Sequence, residues 1–265
     1  MTNQAPFDPN EADFNCLHKI AEGLYSFVTH FRFDGKAPLQ NRSIIVHRPA
    51  KTGKGDLIII NPAELSSGIQ ADLQALEQSL NAKIVGLISP GDWHYMFIGD
   101  YLKHFPAAKA YVCPGRVPAK APGFAFTLND VDSMHSLKTW SPELEIIAVQ
   151  GLRDFSSPLP DEPRHELVFY HPSSRSIIAG DLLWYARGEL EPHQKAMGMR
   201  ANVLEFHFAK WKMVRDRQSL QNSLSEIMKW DFVHFISVHG GPGNMLLNTA
   251  KEQMQALVDW ARSGT

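Results

Sequence analysis

The chain has very little cysteine. Cys16 and Cys113 are the only two in 265 residues. Two cysteines so far apart, outside any CxxC pair, support neither a disulfide framework nor a thiolate metal site. Long apolar runs are also missing. None approaches the roughly 20 residues that a membrane-spanning helix needs. The opening stretch MTNQAPFDPNEADFN is polar and lacks the basic and apolar regions of a secretory signal. Charge of one sign is not in excess: the net value is −2, which leaves no field for nucleic acid or an anionic membrane surface. Ser173 and Ser174 have no Gly-x-Ser-x-Gly context, which excludes an elbow-type serine nucleophile. These absences leave a cytoplasmic protein, with a small molecule as substrate or ligand, as the expectation.

What is present is enough apolar sequence for a large core, 44% of residues against 20% charged. Residues 1–17 read as a loose leader and 18–265 as one domain. Stretches 23–29, 42–47 and 57–60 read as strands of an antiparallel meander, with the Gly-containing KTGKGD turn before the third. Ser66 and Ser67 are candidate N-caps for a helix over 69–80, where Ile69, Leu73, Leu76 and Leu80 share one face. A buried strand over 84–88, a helix over 97–104 and a short strand over 110–113 follow. Residues 114–143, rich in Pro, Gly and Ala, read as loop. Strands are expected over 145–149, 167–170 and 176–179, the last two joined by the turn HPSSR. Residues 203–229 read as mostly helical with a break at Val214. A strand over 232–238 and an amphipathic helix over 246–262 close the chain.

Three segments bear residues suited to metal chemistry: GDWH at 91–94, AGDLLW at 179–184 and SVHGGPG at 237–243. Each follows an apolar run and contains glycine. A side chain there is held by a strand yet open to a cleft, and strand ends are where α/β sheets usually bind ligands. Asp92 and His94, at i and i+2, are expected to point into one cleft. Asp92, His94, Asp181 and His239 would supply two carboxylates and two imidazoles, a set suited to zinc, iron or manganese. Each also has a plainer reading: Asp92 and His94 as turn-closing residues, Asp181 as a cap, and His239 as a donor to its own Gly-rich turn.

The same segments resemble the metallo-β-lactamase superfamily. GLYSF is similar to its first strand, and DLIIINPAE to a strand that ends in Asp, where this chain has Asn61. GDWHYMFIGD lines up with the metal motif T-H-x-H-x-D-H-x-G-G, so that Asp92 and His94 take the first two histidine places. Met96 and Phe97 fall where the family has its Asp and next His. IIAGDLLW is similar to the segment of the metal-bridging Asp, here Asp181, and SVHGGPG to the last histidine segment, here His239. The resemblance implies an α/β fold built as a four-layer αβ/βα sandwich with the cleft at one edge.

For the site, the resemblance implies a metal-activated water that attacks an ester, lactone, thioester, amide or phosphodiester. The metal residues would be Asp92, His94, His165, Asp181 and His239, with His165 as the histidine nearest the third ligand place, Glu162 and Glu166 as carboxylate substitutes there, and Asp181 and His239 as catalytic residues. A thioether and a phenyl ring cannot replace a carboxylate and an imidazole. The expected site is therefore degraded and at most mononuclear, with one divalent ion or none. The open alternative is a non-catalytic module on the same scaffold that binds a small ligand or another protein.

Overall fold

A computed structural model describes residues 13–32, 38–113, 140–157, 161–190, 192–196, 198–206 and 210–263. Most of the 114–143 loop expectation lies outside the described residues, as does most of the leader. The first sheet begins as a meander: β1 (His18–Ala21), β2 (Leu24–Arg32), β3 (Pro38–Arg48) and β4 (Gly55–Ile60) pair antiparallel in sequence order. Helix α1 (Ser67–Ser79) then lets β5 (Ala82–Ile88) lie parallel to β4, and α2 (Ile98–His104) does the same for β6 (Lys109–Tyr111). Parallel neighbours need such a crossover. Ser66 starts α1, its hydroxyl oxygen accepting the Ile69 N–H at 3.2 Å.

The second sheet runs β13-β12-β9-β8-β7. β7 (Glu145–Val149), β8 (Glu166–His171) and β9 (Ser176–Ala179) are antiparallel, β12 (His234–Ser237) is parallel to β9, and β13 (Met245–Leu246) closes the edge. β10 (Leu183–Trp184) and β11 (Glu205–Phe206) form a separate ribbon. The remaining helices are α3 (Pro192–Ala196), α4 (Lys210–Met213), α5 (Arg217–Ile227) and α6 (Ala250–Ser263).

Strand alternation sorts the core into layers. Phe169, Ile178 and Ile236 face inward and pack with Ile44, Ile58 and Leu87 of the first sheet, and Ile69, Leu73 and Tyr101 of α1 and α2 belong to the same cluster. Val168, Ile177 and Phe235, one residue away on the same strands, face outward and pack with Leu220, Leu224, Met254 and Val258 of α5 and α6. The order is helices, sheet, sheet, helices, as the four-layer expectation has it.

The expectation of a mostly helical stretch over 203–229 with a break at Val214 is corrected at its start. Residues 205–206 pair as β11, and the helical part is split into α4 and α5. Val214 bridges to Leu152 at the split. Asp216 restarts the helix, its Oδ1 accepting the N–H groups of Gln218 and Ser219.

The two sheets are joined directly at two places. Asn41 of β3 bridges to His239, and Gly91 bridges to Glu166 of β8. The Arg42 N–H donates to Val238 O at 2.7 Å, and the Leu167 N–H donates to Pro90 O at 2.8 Å. Arg42 strengthens the first junction. Its fully buried guanidinium donates to Ser237 O at 2.6 Å and to Gly241 O at 2.7 Å, gripping both ends of the loop that carries His239. Arg42→Met removes these donors and leaves buried carbonyls unpaired. An unsatisfied buried polar group costs about 1–3 kcal/mol, so a loss of about 3 kcal/mol is expected, read from the urea unfolding midpoint.

Candidate functional site

The strand ends deliver three ligand-type side chains to one point. His94 lies in the turn after β5, Asp181 just after β9 and His239 just after β12. His94 Nε2 is 3.2 Å from Asp181 Oδ1, and His239 Nε2 is 2.8 Å from the same oxygen. Ligand atoms of the three lie within 4.8 Å of one another. The rings of His94 and His239 are 5.2 Å apart, and Trp184 packs on His239 at 5.4 Å.

The far side of each ring fixes its tautomer. Asn61 donates its amide N–H groups to Asn41 Oδ1 and Arg42 O, both at 2.7 Å, so its Oδ1 is turned toward His94. His94 Nδ1, 2.8 Å from that oxygen, must be the donor. His239 Nδ1 is 3.2 Å from the backbone carbonyl of Gln40, so it too donates. In the neutral imidazole the other nitrogen is then a bare acceptor. Burial lowers the His94 pKa, with Asp181 opposing, so His94 is neutral near pH 7. The two Nε2 atoms thus converge on one carboxylate oxygen. At this spacing a proton on one Nε2 or a cation between the three joins them, and the donor set fits a divalent metal. In a tetrahedral zinc shell, ligand atoms about 2.0–2.1 Å from the ion lie roughly 3.3 Å apart.

The expected five metal residues divide. His94, Asp181 and His239 come together, whereas Asp92 and His165 contact each other. Asp92 is fully buried, its Oδ2 accepts the His165 N–H at 3.0 Å, and its Oδ1 is 3.3 Å from His165 Nδ1. The reason is local. Residues 92–97 form turns and not an extended segment, with the His94 N–H bonded to Gly91 O, so positions i and i+2 diverge.

The neighbour that the sequence analysis did not single out is Arg164. Its guanidinium Nη2 donates to Asp181 Oδ2 at 2.8 Å and contacts Glu166 Oε1 at 2.7 Å, while its Nε donates to Glu166 Oε1 at 2.9 Å. No spacing rule marks a lone loop arginine, so only the fold could reveal it. Burial raises the Asp181 pKa, but His94, His239 and Arg164 together outweigh it and hold the carboxyl well below the ordinary range. Burial would lower the Arg164 pKa, and the carboxylates of Glu166 and Asp181 reverse this. For Glu166 burial wins over Arg164, and its pKa rises to about 8.

A cavity of about 240 Å³ opens onto the three ligand-type residues. Trp93, Met96, Phe97, Trp184, Tyr185 and Met199 supply apolar wall, while Asn61, Gln40 and Ser237 supply polar points. Met96 and Phe97 line this space beside the site, not in the deep core.

The arrangement has known counterparts in architecture. The chain is similar to a metallo-β-lactamase from Pontibacter korlensis, at 10% identity and TM-score 0.53 over 94% of this chain and 99% of that one. It is similar to the metallo-β-lactamase FIM-1 from Pseudomonas aeruginosa in its mono-zinc form, at 15% identity and TM-score 0.57 over 97% and 99%. The chain has the metallo-β-lactamase fold. The chain is also similar to a fragment of the putative diflavin flavoprotein A 5 from Nostoc sp. PCC 7120, at 16% identity and TM-score 0.58 over 94% of this chain and 95% of that one. At 10–16% identity these likenesses concern the metallo-β-lactamase fold alone. No protein-family model and no curated protein matches the chain. Among the described residues, no helix is long and apolar enough to cross a membrane.

The pKa of Glu166 makes stability depend on pH. A carboxyl whose folded pKa lies above its unfolded value favours the folded state at low pH, and that contribution is lost as pH rises from about 4.5 to about 8. Glu166→Gln cannot ionise. In chelator, its melting temperature relative to wild type should climb between pH 5 and pH 9. A difference that stays flat across that window would contradict the raised pKa.

Proposed function

We propose that the chain is a metal-dependent hydrolase that uses a single divalent ion, zinc or else iron or manganese, held by His94 Nε2, Asp181 Oδ1 and His239 Nε2. The observation that carries this reading is the pair of imidazoles, each with Nδ1 committed to an acceptor and Nε2 aimed at one carboxylate oxygen. Metal-ligating histidines characteristically donate their other N–H in this way, which fixes ring orientation and raises ligand basicity. Bound there, the ion would act as a Lewis acid and make water nucleophilic near neutral pH.

The substrate class is a small ester, lactone or thioester. Its apolar part would lie against Trp93, Phe97 and Trp184, and its carbonyl at the polar end beside Asp181. His94 is kept neutral by burial and Asp181 is held ionised with the Arg164 guanidinium on its Oδ2, so both are ready to bind an ion without first losing a proton. The mono-zinc form of FIM-1 is a precedent on this fold for one ion.

A second reading follows from Met96 and Phe97, which give apolar wall where the family resemblance implies an Asp and a His. On that reading the cavity binds a small ligand without turnover. Metal analysis after purification, followed by chelation, a thermal melt and an ester and lactone hydrolysis screen, separates the two. The hydrolase should carry close to one ion per chain. An ion at about 100 times its Kd should add about 2.7 kcal/mol to stability. His94→Ala and Asp181→Ala should lose both the ion and the hydrolysis. A fold that melts identically with and without chelator would defeat the metal reading. Bound metal with no turnover would favour the binding module.

A further inference from the structure

We propose that Arg164 is a positioning residue: it holds Asp181 by Oδ2 so that only Oδ1 is offered to an ion, and it stands as a fixed cation where a second ion against Oδ2 would have to sit. The inference rests on the reading of His94, Asp181 and His239 as metal ligands.

The two oxygens of Asp181 have different partners. Oδ1 faces His94 and His239, while Oδ2 accepts from Arg164 Nη2 at 2.8 Å. Arg164 cannot swing away readily. Its side chain is 3% exposed, and Glu166, fully buried, holds it through Oε1. Glu166 is itself confined. A Cβ on Gly91 would come within 2.9 Å of the Glu166 carboxylate, and one on Gly180 within 3.1 Å. Two glycines, one from the end of each sheet, therefore make the space in which this carboxylate sits. The β8 backbone around it is pinned by the Gly91–Glu166 bridge.

The guanidinium also forms part of a wall. Asp181 lines the apolar cavity, whereas Arg164, His165 and Glu166 line a separate, more polar cavity of about 670 Å³. An ion that enters from the apolar side meets Oδ1 with the carboxylate already oriented. Behind it is a guanidinium, which stays charged at any working pH and repels a second dication. Asp181 should then bind one ion through one oxygen.

Cobalt(II) reports this directly, because its visible d–d bands weaken as coordination number rises. Wild type, Arg164→Lys and the double variant Arg164→Met with Glu166→Gln are titrated with cobalt and followed by absorbance and by metal content. Wild type should saturate at one cobalt per chain with strong bands. Arg164→Lys keeps a cation beside Oδ2 and should give a spectrum close to wild type. The double variant frees Oδ2 to chelate, so its bands should weaken, or it should take up a second ion. A folded double variant with the wild-type spectrum and stoichiometry would show that Arg164 only fills space.

X-ray absorption on zinc-loaded wild type gives an answer that does not depend on any variant folding. One oxygen from Asp181 supports the proposal, and a chelating carboxylate or a zinc–zinc distance overturns it. No metal uptake by wild type removes the ligand assignment itself, and with it this inference. Uptake with a two-oxygen Asp181 leaves the ligand assignment standing and removes only the role of Arg164.

Discussion

The site depends on how one carboxylate is shared. Asp181 is surrounded by His94, His239 and Arg164, and its carboxyl stays below the ordinary range although burial works the other way. An isolated buried carboxylate would protonate. Its charge is sustained by the guanidinium that holds one oxygen, while the two imidazoles face the other. Every other feature of the site is a means of keeping those partners in place. Asn61 and Gln40 fix the rings from behind, Glu166 fixes the guanidinium, and the chain carrying each ligand leaves a strand that is buried in the core.

The fold supplies the frame at the seam between the two sheets. Asn41 and Arg42 meet Val238 and His239 at one junction, while Pro90 and Gly91 meet Glu166 and Leu167 at the other. Backbone hydrogen bonds across both junctions mean that the sheets cannot slide at the site without breaking them. Asn61 shows the economy of this arrangement. It ends β4 with φ 57°, a left-handed conformation that asparagine tolerates better than most residues. That turn aims its amide at β3 and its carbonyl oxygen at His94.

Much of the architecture was legible in the sequence, because it is written in local patterns. The apolar runs that became β4, β5 and β9 and the helical spacing of Ile69, Leu73 and Leu76 are signals of period and composition. The three segments that deliver His94, Asp181 and His239 could be found because each combines a strand with a glycine turn. What was not legible depends on geometry across the chain. Asp92 was expected beside His94, yet a tight turn sends the two side chains to different partners. Arg164 carries no motif, and its importance comes only from its distance to Asp181. The split between α4 and α5 was half legible: Val214 marked the place, but the capping by Asp216 depends on which backbone N–H groups lie free there.

Gly91 and Gly180 look like ordinary punctuation after strands. Neither has the positive backbone angle that would single out glycine for a turn. Their hydrogens instead bound the niche of the Glu166 carboxylate, so even a methyl group at either place would intrude on it. The constraint on these two positions is thus steric and at a distance. A chain that kept all three ligand-type residues but carried alanine at both would lose the niche, and the arginine it steadies would lose its anchor.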